Sequence, residues 1–357
     1  MTARKLVQRL ALLLLSLFVA LLLAEAGVRL WFRAHGGESD FHSALLRARG
    51  APTRGAFTLI QLVQASPVPD VVYELRPGLE GTFRNQTVRT NGLGLRGPDV
   101  TREKPAGTRR IAVLGDSNTF GWGVGEGEPY TQLVQQALDK TGRRFEVLNF
   151  GVPGYNTTME VATYESKAAA FSPDLVIIHF IGNDLDLPHF MQPPENLRSA
   201  AHSDLWDLWQ ARFGSLQDEA DPDLLAHDRS KLDPEYRQKV RGQYQHMVGP
   251  DAYRREMAKL GALTREKKIP VIVMALGDVS GEGSLAHQAA DANGMRFLDA
   301  SPRFYRYLVE HGLGTEKADW QRTFRIPHDG HPNRLGHQLY AEVILDELRA
   351  MGLVERS

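Results

Sequence analysis

The 357-residue sequence contains no cysteine. That absence excludes a disulfide framework, a thiolate zinc or iron–sulfur site, a Cys nucleophile and an acylated cysteine of the lipoprotein kind. An excess of either charge is also lacking: 42 Lys+Arg stand against 43 Asp+Glu, a formal net charge of −1. Binding to phosphate backbones needs a concentrated basic face, so nucleic acid is excluded as a partner. Internal repeats and low-complexity tracts are missing too. What remains is an ordinary folded composition, 42% hydrophobic and 24% charged, long enough for one large domain or two smaller ones. The 33 Gly and 19 Pro predict many turns and long connections rather than a helical bundle.

One hydrophobic run departs from this pattern. Arg4, Lys5 and Arg9 precede residues 10–24, whose only polar member is Ser16. These fifteen residues reach the top of the range for a signal-peptide core and fall below the roughly 20 that a spanning helix needs. Extending the helix through Gly27, Val28, Leu30, Trp31 and Phe32 supplies the length and puts Glu25 and Arg29 near the interface. Ala24-Glu25-Ala26 also fits a small-x-small cleavage site, so an uncleaved single-pass anchor and a cleaved, secreted form both stay open. Trp31 and Phe32 suit an interfacial belt and favour the anchor. A buried core helix does not fit, because the run has no polar face to give to water. Either way the rest of the chain is expected outside the cytoplasm, periplasmic or extracellular, with Arg29 and Arg33 diluting the asymmetry of basic charge.

From 36 to 69 the sequence is mostly polar and irregular, which reads as a tether. Between 71 and 96, Pro77-Gly78, Gly81 and Asn91-Gly92 break short apolar stretches into small strands and turns. Gly92-Leu93-Gly94-Leu95-Arg96-Gly97 has the glycine spacing of a dinucleotide fingerprint. No apolar strand leads into it and Pro98 leads out of it, so the strand–turn–helix context of phosphate binding is absent, and no cofactor is expected.

After Gly107 the pattern becomes regular. Apolar runs at 111–114, 145–150 and 175–181 end in Gly115, Gly151 and Gly182, and 271–275 and 296–298 read as fourth and fifth strands. Helical periodicity covers about 130–140, 158–170, 253–267 and 335–351, the last with Leu339, Val343, Ile344 and Leu348 on one face. Strands alternating with helices predict a parallel sheet covered on both faces, with the working groups at its carboxyl edge. Between 188 and 250 the alternation stops, and this charge-rich stretch with Trp206 and Trp209 reads as a helical insertion.

Three strand ends carry unusual groups. The first ends in Gly115-Asp116-Ser117-Asn118, which places a serine at a strand-to-helix turn. The second is followed by Gly151-Val152-Pro153-Gly154-Tyr155-Asn156, whose glycines let backbone N–H groups approach a ligand. The third ends in Gly182-Asn183-Asp184, offering an amide donor. Far down the chain, His328-Asp329-Gly330-His331-Pro332-Asn333 stands just before the last helix. A serine, a backbone donor, an amide donor and an Asp/His pair at one edge are the parts of acyl-transfer catalysis.

These four segments resemble the signature blocks of the GDSL, or Ser-Gly-Asn-His (SGNH), hydrolases, in the family's order. Gly115-Asp116-Ser117 with Gly121 is similar to the first block, Gly154 to the second, Gly182-Asn183-Asp184 to the third, and Asp329 with His331 to the last. Arg89-Thr90-Asn91 and Gly94-Leu95-Arg96-Gly97 resemble a segment ahead of the catalytic domain in membrane-anchored bacterial members. The resemblance implies a flavodoxin-like three-layer α/β/α sandwich with a five-stranded parallel sheet. It implies Ser117 as nucleophile, His331 as general base, Asp329 as the group orienting the imidazole, and an oxyanion hole made by the N–H of Ser117, the N–H of Gly154 and the amide of Asn183. The family's usual last block puts Asp three residues before His, whereas Asp329 is two before; a Ser–His dyad oriented by a backbone carbonyl is therefore the alternative. The implied organisation is an anchor and flank at 1–35, a tether and β-rich lead-in at 36–108, and a catalytic domain at 109–357 with the insertion at 188–250.

Each residue also has a plainer reading: Ser117 as a helix cap, Gly154 and Asn183 as turn residues, His331 as a loop histidine. Asp184 and Asp186 read as an exposed strand end rather than a metal site, His179 as a satisfied core histidine, and His337 as structural. Trp206 and Trp209 read as packing of the insertion. The functional expectation is a serine esterase acting on an acyl or acetyl ester of a small molecule, envelope carbohydrate or lipid, needing no metal or cofactor. An O-acyltransferase using the same residues and a non-catalytic envelope binding module are the alternatives; oligomeric state is left open.

Overall fold

The computed structural model describes residues 3–35, 53–189, 203, 205, 242–277 and 282–355. The N-terminal run forms one helix, α1 (Ala3–His35). Its segment Arg4–Trp31, 28 residues long, is long and apolar enough to cross a membrane. At 1.5 Å per residue it extends about 42 Å, against a hydrocarbon core of about 30 Å. The charges that would sit near its end neutralise each other, since Arg29 Nε donates to Glu25 Oε1 one turn earlier at 2.7 Å.

The lead-in consists of β1 (Arg54–Phe57), the single turn α2 (Leu59–Leu62), β2 (Val63–Ala65), β3 (Tyr73–Leu75), β4 (Glu80–Phe83) and β5 (Gln86–Arg89). One sheet has the order β1-β4-β5, while β2 and β3 form an antiparallel pair. Arg84 and Asn85 join β4 to β5 with φ of 52° and 61°, the left-handed pair that a two-residue type I′ hairpin turn requires. Phe57, Leu59, Leu62 and Val63 are all buried, so 54–69 is packed where its irregular polarity suggested a tether. Leu59, Leu62 and Val63 do stand at helical i, i+3, i+4 spacing, but over a single turn, too short a stretch to be read as an element from the sequence. This lead-in shares one apolar cluster with Phe120, Trp122, Val152, Tyr155 and Met159 of the following segment.

That segment alternates as its pattern requires: β6 (Arg109–Leu114), α3 (Ser117–Phe120), α4 (Tyr130–Asp139), β7 (Phe145–Asn149), α5 (Thr157–Ser166), β8 (Leu175–Phe180), α6 (Gly249–Glu266), β9 (Val271–Ala275), α7 (Glu282–Ala292), β10 (Arg296–Asp299), α8 (Ser301–Glu310), α9 (Lys317–Phe324) and α10 (Arg334–Ala350). The five strands pair in parallel in the order β10-β9-β8-β6-β7. Strand alternation divides their side chains between two cores. Ala112, Leu114, Val176, Ile178 and Val273 pack with α5, α6 and α7. Ile111, Val113, Ile177, Ile272 and Met274 pack with α4, α8, α9 and α10. Both faces of β9 are dry, and each fully buried aliphatic side chain contributes roughly 1.5–3 kcal/mol. This is the expected three-layer α/β/α sandwich. After β7 the chain crosses β6 to form β8 on its other side, so the β6/β8 carboxyl ends flank the topological switch point where ligands bind in such sheets.

Most of the insertion at 188–250, with Trp206 and Trp209, lies outside the described residues. Its described end is a 3₁₀ turn, Gly242–Met247, leading into α6.

Candidate active site

Ser117 is the first residue of α3, a helix of only four residues whose cap is Asp116: Asp116 Oδ1 accepts the Asn118 N–H at 2.9 Å. Ser117 is thus not the cap. A Cβ on Gly115 would fall 2.0 Å from Thr119 Oγ1, so glycine lets the chain turn sharply from β6 into α3. The Ser117 Oγ lies 2.9 Å from His331 Nε2, joining residues 214 apart in sequence. His331 Nδ1 is hydrogen-bonded in turn to Asp329 Oδ1.

The short Asp–His spacing is accommodated by the loop. His328 and Gly330 are left-handed, with φ of 63° and 84°. The Ile326 N–H donates to the His331 carbonyl at 2.8 Å, and Arg325 bridges to Pro332. Asp329 and His331 are thereby folded face to face, and it is Asp329 rather than a backbone carbonyl that meets the imidazole. Burial pushes the Asp329 carboxyl up, but hydrogen bonds from Trp122 and His331 and the charge of His331 outweigh it and hold the group below its ordinary value.

Asn183 lies in the 3₁₀ turn after β8 and donates from Nδ2 to Asp116 Oδ2 at 3.0 Å. An amide nitrogen carries two hydrogens, so the second stays available to a ligand. Gly154 follows β7 with φ of 78°. Its carbonyl accepts the His189 N–H at 3.1 Å, and its own N–H has no partner among the described residues. The preceding carbonyl, of Pro153, accepts the Tyr73 hydroxyl at 2.9 Å, and a Cβ at 154 would lie 2.2 Å from His189 Cβ. Ser117, Asn183 and His331 line an open cleft of about 1360 Å³, walled on one side by α9; Gly154 is not among its lining residues.

Behind the cleft lies a polar layer that sequence reading described differently. Asp184 and Asp186 are buried, not exposed; Asp184 accepts from Thr157 Oγ1 at 2.7 Å and from the Ile181 N–H at 2.6 Å, which fixes the Asn183 turn. Glu160 of α5 is buried with neither carboxyl oxygen partnered among the described residues; burial, then Asp184 and Asp116, push its titration well up. His179 is a core histidine as expected, but neither ring nitrogen has a partner among the described residues, and burial pushes its titration down to about 3. His337 is structural: its Nδ1 accepts the Tyr130 N–H at 3.3 Å.

Trp122 is the contributor that sequence reading missed. Its indole Nε1–H donates to Asp329 Oδ2 at 3.0 Å, and its ring stacks on His331 with centroids 4.7 Å apart at 17°. A large aromatic between Gly121 and Gly123, five residues after the serine, is the one local signal for it.

The model of the GDSL-like lipase/acylhydrolase family matches residues 113–339. The chain belongs to this family. It is an enzyme that hydrolyses ester bonds. Among solved structures, those similar to this GDSL-family hydrolase include an acetylxylan esterase from Geobacillus stearothermophilus, at 18% identity, TM-score 0.42, covering 67% of this chain and 94% of that one. A lipase/acylhydrolase from Enterococcus faecalis has 15% identity and a TM-score of 0.41, covering 70% of this chain and 98% of that one. No curated protein matches the chain. The family match begins within β6 and ends within α10, leaving α1 and the whole lead-in outside it.

Proposed function

We propose that this GDSL-family hydrolase is a membrane-anchored serine esterase that removes acyl or acetyl groups from a carbohydrate-sized ester outside the cytoplasm. The observation that carries the reading is the hydrogen-bonded chain Ser117–His331–Asp329. With Nδ1–H directed at Asp329, the neutral imidazole presents an unprotonated Nε2 to the serine hydroxyl. Ser117 Oγ attacks the ester carbonyl carbon as its proton passes to Nε2, and Asp329 stabilises the imidazolium that results. The carbonyl oxygen becomes an oxyanion, held by the N–H groups of Ser117 and Gly154 and by the second amide hydrogen of Asn183. Collapse expels the alcohol, which takes the Nε2 proton. Water then repeats the sequence on the acyl-serine, releasing the acid and restoring Ser117.

The cleft supports a bulky substrate, since about 1360 Å³ far exceeds an acetyl group, and Lys317, Gln321 and Arg322 give one wall hydrogen-bonding side chains. The full chain should label with a fluorophosphonate and deacetylate both an aryl acetate and an acetylated oligosaccharide. Ser117→Ala should do neither; equal labelling of both proteins would sink the mechanism, and an inert oligosaccharide would remove the carbohydrate assignment alone. The anchor reading rests on the length of Arg4–Trp31 and its internal Glu25–Arg29 pair. A reporter fused after residue 355 is expected to be active only outside the cytoplasm and to fractionate with membranes; activity confined to the cytoplasm would reverse the topology.

A further inference from the structure

Asp329 Oδ1 serves His331 twice, taking its ring Nδ1 and, at 3.4 Å, its backbone N–H. Both contacts come from within the same five-residue loop, and a carboxylate held only by a residue two positions away can rotate about its own side-chain bonds. The other oxygen, Oδ2, is held from outside the loop by the indole N–H of Trp122, 207 residues away in sequence. The same indole lies against the imidazole it helps to orient, so one rigid ring contacts both members of the pair.

Trp122 is itself fixed by the lead-in. Phe83, at the end of β4, meets the indole edge-on with centroids 4.8 Å apart, and the Arg84 guanidinium lies 4.9 Å from the indole centroid. Arg84 reaches this position from the hairpin turn at which it and Asn85 take left-handed backbone angles, the geometry that a two-residue hairpin turn requires. A cation over an indole face is an attractive contact; Trp122 is buried and Arg84 covers it from the exposed side. The chain of contact therefore runs from the β4–β5 hairpin, outside the family-matched region, to the acid of the triad.

We propose that Trp122 is a positioning residue that locks the Asp329–His331 pair and thereby supplies the rigidity that the two-residue spacing lacks, with the β4–β5 hairpin as its support. This rests on the esterase reading above, in which Asp329 acts on the substrate only through His331. A hydrogen bond to a carboxylate is among the stronger ones in proteins, and losing it here should cost about ten- to a hundredfold in kcat. KM should change by less than about twofold, because the indole does not line the cleft.

The test is a double-mutant cycle on the full chain with an aryl acetate. Trp122→Phe keeps an aromatic ring for Phe83 and His331 to pack on and removes only the N–H. If Trp122 acts through Asp329, Trp122→Phe lowers kcat by about tenfold or more in the wild type and by less than about twofold in an Asp329→Asn background. Equal losses in both backgrounds, or no loss in the wild type, would overturn the proposal. Trp122→Leu, run in the same cycle, decides the matter should the Phe variant melt early. Failure of the esterase reading is read separately: there the wild type itself would not label with a fluorophosphonate.

Discussion

Asp116 sits between two groups whose protons matter. Its Oδ2 is 2.8 Å from Ser117 Oγ and 3.0 Å from Asn183 Nδ2, while Oδ1 holds the Asn118 N–H. The serine hydroxyl has one proton and two acceptors within reach, Asp116 and His331, and attack requires it to face His331. The amide has no such conflict, because one hydrogen can stay on Asp116 while the other meets an oxyanion. Asn183→Ala is therefore expected to lower kcat by about 10²–10³ with little change in KM, as for other single oxyanion donors. Steady-state kinetics with an aryl acetate checks this, and a loss under about fivefold would remove Asn183 from that role. Ser117, Asn183, Asp329 and His331 stand out as candidates in the sequence because each lies in a short, recognisable block. Trp122 was not, since its role depends on an oxygen that only folding brings within 3.0 Å.

At the scale of elements, the strands were the most legible part. The run at 271–275 is β9 to the residue, because a central parallel strand must be apolar on both faces and its ends are set by polar or turn-forming neighbours. Helix α6 begins at Gly249, ahead of the expected 253, with Pro250 in its first turn, a start signal placed inside the stretch read as insertion. The glycine-spaced segment 92–97 carries a clamp. Arg96 is buried and donates to the carbonyls of Phe120 at 2.9 Å, Gly121 at 2.5 Å and Val124 at 2.7 Å, holding the loop that carries Trp122. Burial pulls the guanidinium down to about 10, with Glu126 and Glu128 opposing, so it stays charged while its terminal nitrogens donate to the loop. A lone arginine among glycines does not announce three carbonyl partners more than twenty residues on.

For the whole molecule, the buried histidines set the response to acid. Burial pushes both His179 and His337 from 6.5 down to about 3. The unfolded chain therefore binds more protons than the folded one between these values, and stability that is complete above about 6.5 is lost progressively as pH falls toward 3. Glu160 acts oppositely: its raised titration favours the fold below its ordinary 4.5 and loses that contribution as pH rises. Glu256, also pushed up by burial, acts in the same sense as Glu160, so the prediction for the two histidines is read from the variant that removes one of them. Thermal melts of the full chain should show the midpoint falling as pH is lowered from about 6.5, and His179→Phe, which keeps the edge-on contacts to Tyr130 and Tyr340, should flatten that slope. A slope left unchanged in that variant would contradict the assignment. By itself the sequence determined the strand–helix alternation, the apolar N-terminal run, the absence of thiol chemistry and the serine, amide and Asp/His blocks, because each is a local pattern of polarity or residue type. Only the tertiary structure decided that the lead-in is part of the core, that Asp184 is buried rather than exposed, that the His179 ring nitrogens lack partners among the described residues, and that Trp122 reaches Asp329, because burial and contact across 207 residues are properties of packing that no local window contains.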